Sequence, residues 1–242
     1  MVNREEHPEM NARQLRNLAV NTVVRNVLVF AISSSIMFLA AGRLDWPEAI
    51  IFWITYFLIS LASSLYLLKI DSGLMKERQD AISQKNVKPW DRWILVINMF
   101  LTTGLFALIG LDAGRFGWTQ VPILIRIAGG ILMLLSFGLT LWASHTNTYM
   151  SSLMRIQSER GQHVISSGPY AFIRHPMYAG MCLLDLGMPL LLNSWFGLTV
   201  SGLMIATIFI RTSLEDKTLQ AELQGYTDYA TRVKYRLVPG IW

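Results

Sequence analysis

Charge and cysteine are what this chain has least of. Only 15% of its 242 residues are Asp, Glu, Lys or Arg, while 52% are hydrophobic. A soluble globular domain carries roughly 25% charged residues. That deficit, with a mean hydropathy of +0.38, excludes disordered, collagen-like and coiled-coil chains, which need high polarity or strict short periods. The lone cysteine, Cys182, cannot close an intramolecular disulfide, which excludes a stapled secreted scaffold. It lies in an apolar run and reads as a packing residue in preference to a reactive thiol. His7, His145, His163 and His175 show no zinc-type spacing, with or without Cys182, so no metal is expected. Met1–Thr22 is polar and mixed in charge, so no cleavable signal peptide is expected. There is no internal repeat.

What is present is long apolar runs. A spanning helix needs ~20 mostly apolar residues to cross a ~30 Å hydrocarbon core. Four runs meet that length: about Val23–Ala41, Glu48–Leu68, Trp93–Leu111 and Val121–Ala143. A fifth region, Met177–Ile210, is too long for one helix. Pro189 and then Asn193-Ser194-Trp195 read as a kink and a turn that divide it into two short helices forming a hairpin. The expectation is an all-α polytopic membrane bundle of about six transmembrane helices. It divides into an N-terminal arm (1–22), four spans (23–143) and a C-terminal unit (144–242) of loop, hairpin and tail.

With six spans, one side of the membrane receives the arm, the loops Lys69–Arg92 and Ser144–Pro176, and the tail from Arg211. Of the 21 Lys and Arg residues, all but Arg43, Arg115 and Arg126 fall on that side. Positive charge accumulates on the cytoplasmic face, so both termini are expected there. The net charge of +5 then reads as orientation and as contact with anionic lipid headgroups, and a nucleic-acid partner is not needed to explain it. Arg126, early in its span, reads as a snorkelling side chain in preference to a functional intramembrane charge. Trp46, Trp93, Trp118 and Trp195 fall near predicted helix ends, where an aromatic belt places them. Gly129 and Gly130 suit close helix packing.

Polar residues concentrate on both flanks of the hairpin. One cluster runs from Arg155 through His163, Tyr170, Arg174, His175, Pro176 and Tyr178. The other runs from Arg211 through Glu215, Asp216, Tyr226 and Tyr229. A hairpin returns its two ends to the same membrane face, so Arg174–Tyr178 and Arg211–Asp216 become neighbours. Pro176 suits a first helical turn. The free N–H groups of that turn, with Arg174 and His175, offer an anion site. Arg211 and Glu215, four apart, share a helical face. The tyrosine rings suit a cation or a flat heterocycle. Plainer readings stand beside these: a basic boundary ahead of a proline helix start, a surface ion pair, a satisfied interface histidine, and interfacial tyrosine anchors. From the residues alone, the conclusion is a membrane protein with a polar site at one face.

Gly168-Pro169-Tyr170 followed by Arg174-His175-Pro176-Met177-Tyr178-Ala179-Gly180, with Arg211-x-x-x-Glu215-Asp216 one hairpin later, resembles the signature of the isoprenylcysteine carboxyl methyltransferase family. Related membrane phospholipid N-methyltransferases share the paired acid. The resemblance covers about Gln157 to Pro239. It implies an integral membrane enzyme using S-adenosylmethionine, bound in a cytoplasmic pocket at the end of the hairpin and enclosed by the preceding loop and the tail. By the same resemblance Gln157, His163, Val164, Ile165, Tyr170, His175, Pro176, Met177, Tyr178 and Glu215 are cofactor contacts. Arg211 and Glu215 are its catalytic pair, with Arg211 on the substrate carboxylate. Two departures are visible: Asp216 replaces a glutamate, and the Gln157–Tyr170 stretch is about one residue shorter than in eukaryotic members.

The expected reaction is methyl transfer to a lipophilic substrate entering from the bilayer. A carboxylate acceptor, with a pKa near ~4, is ionised at neutral pH and needs no base. Arg211 would orient it through a bidentate contact. An amine must first lose a proton, with Glu215, Asp216 or His175 as candidate bases. Phospholipid or amine N-methylation is therefore the alternative, and a non-catalytic binding module of the same fold a third.

Overall fold

The computed structural model describes residues 11–80 and 86–242, and all regular structure among them is helical. His7, the first ten residues of the N-terminal arm, and Lys85 in the first basic loop lie outside the described residues. The helices are α1 (Ala12–Ala41), α2 (Pro47–Ile70), α3 (Ser72–Asp80), α4 (Pro89–Ile109), α5 (Ile123–Thr146), α6 (Pro176–Leu191), α7 (Trp195–Glu222) and α8 (Tyr226–Arg232).

Five helices are long and apolar enough to cross a membrane: α1, α2, α4 with its continuation to Phe116, α5 and α7. At 16 residues, α6 is about 24 Å long, short of a ~30 Å core. Its turn nevertheless meets the connection between α4 and α5, since Asn193 Oδ1 accepts from the Val121 N–H at 2.7 Å and the Trp195 ring N–H donates to Gln120 O at 2.9 Å. The hairpin therefore runs the height of the bundle.

Three boundaries differ from expectation. Helix α1 begins at Ala12, capped by Asn11 and Gln14 in a reciprocal capping box, so part of the polar arm is helical. Thirty residues span about 45 Å, more than the hydrocarbon core requires. The second arm of the hairpin does not stop at Ile210 but continues to Glu222, which puts Arg211, Glu215 and Asp216 on one uninterrupted helix. Beyond Ile109 the third span becomes a π-helical turn, Gly110–Phe116. There the fully buried Asp112 carboxylate accepts from Ser194 Oγ (2.6 Å), Thr119 Oγ1 (2.7 Å) and the Thr119 N–H (2.9 Å), tying the hairpin turn to the α4–α5 connection.

The main core gathers Met37, Phe52, Trp53, Phe106, Ile109, Met133, Met188 and Met204 from α1, α2 and α4 to α7. Trp46 belongs to this core, whereas Trp93, Trp118 and Trp195 stay exposed as a belt requires. Helices α5 and α6 cross at Gly129 and Gly187. A Cβ on Gly129 would lie 2.7 Å from Leu191 N and 2.8 Å from Gly187 O. On Gly130 it would meet only Leu191 Cδ1, at 3.6 Å, so the close approach depends on Gly129. Arg126 reaches Glu48 (3.5 Å) and the Leu191 carbonyl (3.4 Å), as a side chain turned toward its own end of the bundle does.

Candidate functional site

The residues between α5 and α6 carry little regular structure, only 3-10 turns at Ser158–Arg160 and Gly168–Ala171. Side-chain bonds hold them in place. Arg155 pairs with the buried Glu77 of α3 at 2.8 Å and with Glu159 at 2.6 Å. Burial alone would lower the Arg155 pKa, but these two carboxylates raise it overall. Arg155 in turn holds Glu159 below the usual carboxylate range, against the opposing effect of burial. Gln157 is buried behind the loop, donating to Tyr149 O at 2.6 Å and accepting from Arg160.

The tail closes the site from the other side. Arg174 N–H donates to Tyr235 O (3.0 Å) and His175 N–H to Arg236 O (2.9 Å). These two bonds dock the segment before α6 on the segment after α8. At the start of α6, Pro176 occupies the first helical position and His175 the cap. The His175 ring stacks on Tyr178, with centroids 5.7 Å apart and planes 10° from parallel.

Asp216 is the electrostatic hub. Fully buried, it accepts from Arg174 Nε (2.9 Å) and Nη2 (3.1 Å), Arg236 Nε (3.0 Å), Tyr226 Oη (3.0 Å) and Gln220 Nε2 (2.9 Å). His175 Nε2 lies 3.5 Å from it. The adjacent Glu215 points elsewhere: it accepts from the Tyr178 hydroxyl at 2.5 Å and lies 3.8 Å from His175 Nδ1. The two acids therefore differ in environment. Asp216 is enclosed by donors and structural in character, while Glu215 faces an open space.

That space is a cleft of about 810 Å³ that is partly open to solvent. Nine of the sequence-predicted residues line it: His163, Val164, Ile165, Tyr170, His175, Met177, Tyr178, Arg211 and Glu215. Gln157 and Pro176 do not; the first braces the loop and the second starts the helix. Tyr149, Met150, Leu153, Leu219, Tyr226 and Tyr229 are also part of the wall. Tyr149 hydrogen-bonds His163 Nδ1 at 3.0 Å and Tyr229 Oη donates to Tyr170 O at 2.7 Å. Burial pushes the phenols of Tyr170, Tyr226 and Tyr229 well above their ordinary value of 10.0, so all three are neutral donors at physiological pH.

Arg211 departs from its expected arrangement. Asp91, in the first turn of α4, lies 2.7 Å from Nε through Oδ1 and accepts from Nη2 through Oδ2 at 2.8 Å. Asp91 thus covers the Nε/Nη2 edge of the guanidinium, by an ion-pair contact at Nε and a hydrogen bond at Nη2. Nη2 also donates to Ser152 O at 2.8 Å, so neither two-point edge is fully free for a substrate carboxylate. No sequence signal marked Asp91 for this, because an acid in a first helical turn is sufficiently explained by the helix dipole.

The cavity lies at the membrane end formed by the start of α6 and the second half of α7, and the comparison with known families bears on that segment. Residues 124–224 match the phospholipid methyltransferase family model. That family includes isoprenylcysteine carboxyl methyltransferases, so the resemblance carried by Arg174–Gly180 and Arg211–Asp216 stands at the level of the family. No curated protein matches the chain. The matched segment runs from the start of α5 just past the end of α7, leaving α1 to α4, α8 and the tail outside the match. With the five apolar helices, it points to an integral membrane methyltransferase.

Proposed function

We propose that the chain transfers a methyl group from S-adenosylmethionine to a lipophilic acceptor, with the cofactor held in the cavity between α6, α7 and the 147–175 loop. The carrying observation is that this cavity, built largely from the phospholipid methyltransferase segment, gathers His175, Tyr178, Arg211 and Glu215 at one membrane face. The skewed distribution of Lys and Arg supports a cytoplasmic assignment for that face.

The donor set fits the cofactor. Glu215, held by a neutral phenol, is a carboxylate available to a cationic ligand. The rings of Tyr149 and Tyr178 and the side chains of Val164, Ile165 and Leu219 suit a sulfonium and a flat heterocycle. When bound, S-adenosylmethionine supplies an electrophilic methyl group. The chain itself positions the reactants, which can lower a barrier by ~7–11 kcal/mol in favourable cases. Tyr178 orients Glu215 through its hydroxyl.

The acceptor reading we favour is a carboxylate on a lipid-like molecule, as in isoprenylcysteine O-methylation. Arg211 carries it: the side chain lines the cavity, its guanidinium carbon stands 5.2 Å from the Tyr178 ring centroid, and Nη1 makes no hydrogen bond among the described residues. A second reading, N-methylation of an amine or phospholipid headgroup, is favoured by Glu215, an acid within reach of a bound amine proton.

Incubating native membranes with methyl-labelled S-adenosylmethionine tests both. A base-labile labelled lipid supports the ester reading, and a base-stable one the amine reading. Absence of saturable S-adenosylmethionine binding to folded, purified protein in calorimetry would sink both.

A further inference from the structure

We propose that Asp91 is a positioning residue of this site. It grips the Nε and Nη2 side of Arg211, so that Arg211 meets the methyl acceptor through Nη1 and a single acceptor oxygen. The inference rests on the acceptor reading above and deepens it.

Asp91 lies outside the segment that matches the family, in the first turn of α4, and is fully buried. Its carboxylate does three things at once. Oδ1 stands 2.7 Å from Arg211 Nε, Oδ2 accepts from Arg211 Nη2 at 2.8 Å, and Oδ2 also accepts the Met154 N–H at 2.6 Å. The same junction is fastened by Lys88 N–H donating to Met154 O at 3.0 Å and by Arg211 Nη2 donating to Ser152 O at 2.8 Å. Three separate pieces of chain meet here: the start of α4, the loop over the cavity, and α7.

A buried ion pair adds little net stability over apolar residues of similar volume, because the desolvation of both charges offsets their attraction. Its physical yield here is geometry. An arginine side chain has many rotamers, and ordering one on demand costs conformational entropy during binding. Asp91 orders Arg211 in advance, over the Tyr178 ring, with Nη1 unbonded among the described residues. It also neutralises the guanidinium. The site therefore presents an oriented N–H donor in place of a free cation, and selects an acceptor by where its oxygen sits.

The test compares wild type, Asp91→Asn, Arg211→Ala and the double variant in membranes, with calorimetric S-adenosylmethionine affinity measured in parallel. Asp91→Asn should lower kcat about 10- to 100-fold, the scale of a misplaced catalytic contact. Cofactor affinity should stay within about twofold, and Arg211→Ala should cost nothing further in the Asp91→Asn background, since coupled residues are non-additive. Wild-type turnover in Asp91→Asn, or losses that multiply in the double variant, would overturn the proposal and leave the methyltransferase reading intact. Labelling with phenylglyoxal, read by peptide mass spectrometry, needs no activity. Arg211 should react several-fold faster once Asp91 is Asn, and unchanged reactivity overturns the proposal. A wild-type protein that transfers no methyl removes the parent reading, and the labelling result then decides on Asp91 alone. If Asp91→Asn does not fold, Arg211→Lys takes its place, because lysine keeps the charge but not the fork. An equal loss of kcat is expected, and wild-type turnover overturns the inference.

Discussion

Arg174 and Asp216 form a two-point ion pair, Nε to Oδ1 at 2.9 Å and Nη2 to Oδ2 at 3.1 Å, that fastens the entry of α6 to the middle of α7's polar half. Both side chains are almost wholly buried. Arg174 Nη1 goes on to the carbonyls of Val233 (2.9 Å), Lys234 (3.2 Å) and Ala230 (3.3 Å). One guanidinium thus joins the hairpin to the tail that closes the cavity.

Breaking that pair should be costly. Asp216→Ala leaves Arg174 buried and charged without its counter-ion, and removes the acceptor for Arg236 and Tyr226 as well. The expected destabilisation is roughly 3–5 kcal/mol, the range for removing one partner of a buried pair. Unfolding in detergent, monitored by intrinsic fluorescence, checks it. Loss of less than about 1 kcal/mol, the level of an exposed pair, would show the network to be dispensable.

Glu215 and Arg211 should separate functionally although they share a helix face. Glu215→Gln removes the negative charge facing the cavity while keeping a hydrogen-bond partner for Tyr178. It should weaken S-adenosylmethionine binding by roughly tenfold, about the worth of one charge-assisted contact. His175→Ala removes the ring stacked on Tyr178 and should weaken it in the same direction. Arg211→Ala should impair turnover and leave cofactor affinity nearly unchanged. Calorimetry paired with labelled methyl transfer distinguishes these outcomes, and equal affinity losses in all three variants would contradict the division of roles.

The pairing of Arg174–Tyr178 with Arg211–Asp216 was legible because two apolar runs joined by Asn193-Ser194 must return their polar ends to one face. Helix α7's extension to Glu222 was not, since hydropathy ends at Ile210 whereas backbone hydrogen bonding continues through polar residues. The Asp91–Arg211 contact spans 120 positions of sequence, and neither residue carries a mark of the other. The π-helical turn holding Asp112 left no pattern either, because its seven residues fit an ordinary helix end. Chain reversal and burial follow from composition; which acid meets which arginine follows from packing.

Alkaline pH should open the site. Burial raises the phenol pKa of Tyr170, Tyr226 and Tyr229 above 10.0 in the folded chain. A raised folded pKa means the folded state holds protons that the unfolded state has released. The contribution of each tyrosine is therefore complete below pH 10.0 and declines as pH rises from there toward the folded value. Unfolding temperature should be flat near neutrality and drop progressively above about pH 10. Tyrosinate absorbance from these residues should appear only as the protein unfolds. A Tyr229→Phe variant should lose the bond to Tyr170 O and show a weaker alkaline decline. A decline unchanged in that variant would assign the effect to other groups.

Helix crossing at Gly129 gives the sharpest structural test. A Cβ there would lie within 2.8 Å of backbone atoms of Leu191 and Gly187 on α6, and backbone cannot move aside as a flexible side chain does. Gly129→Ala should therefore force α5 and α6 apart and destabilise the bundle by about 1–3 kcal/mol, the usual scale for overpacking. Its neighbour provides the control. Gly130→Ala places its methyl 3.6 Å from one Leu191 methyl group, an ordinary contact. Alanine also has the better helix propensity, so that variant should unfold at or slightly above the wild-type temperature. Because α6 begins at Pro176, against the cavity, displacing it at Gly129 should also lower cofactor affinity, whereas Gly130→Ala should not. Equal behaviour of the two variants would mean that the helices do not cross at Gly129.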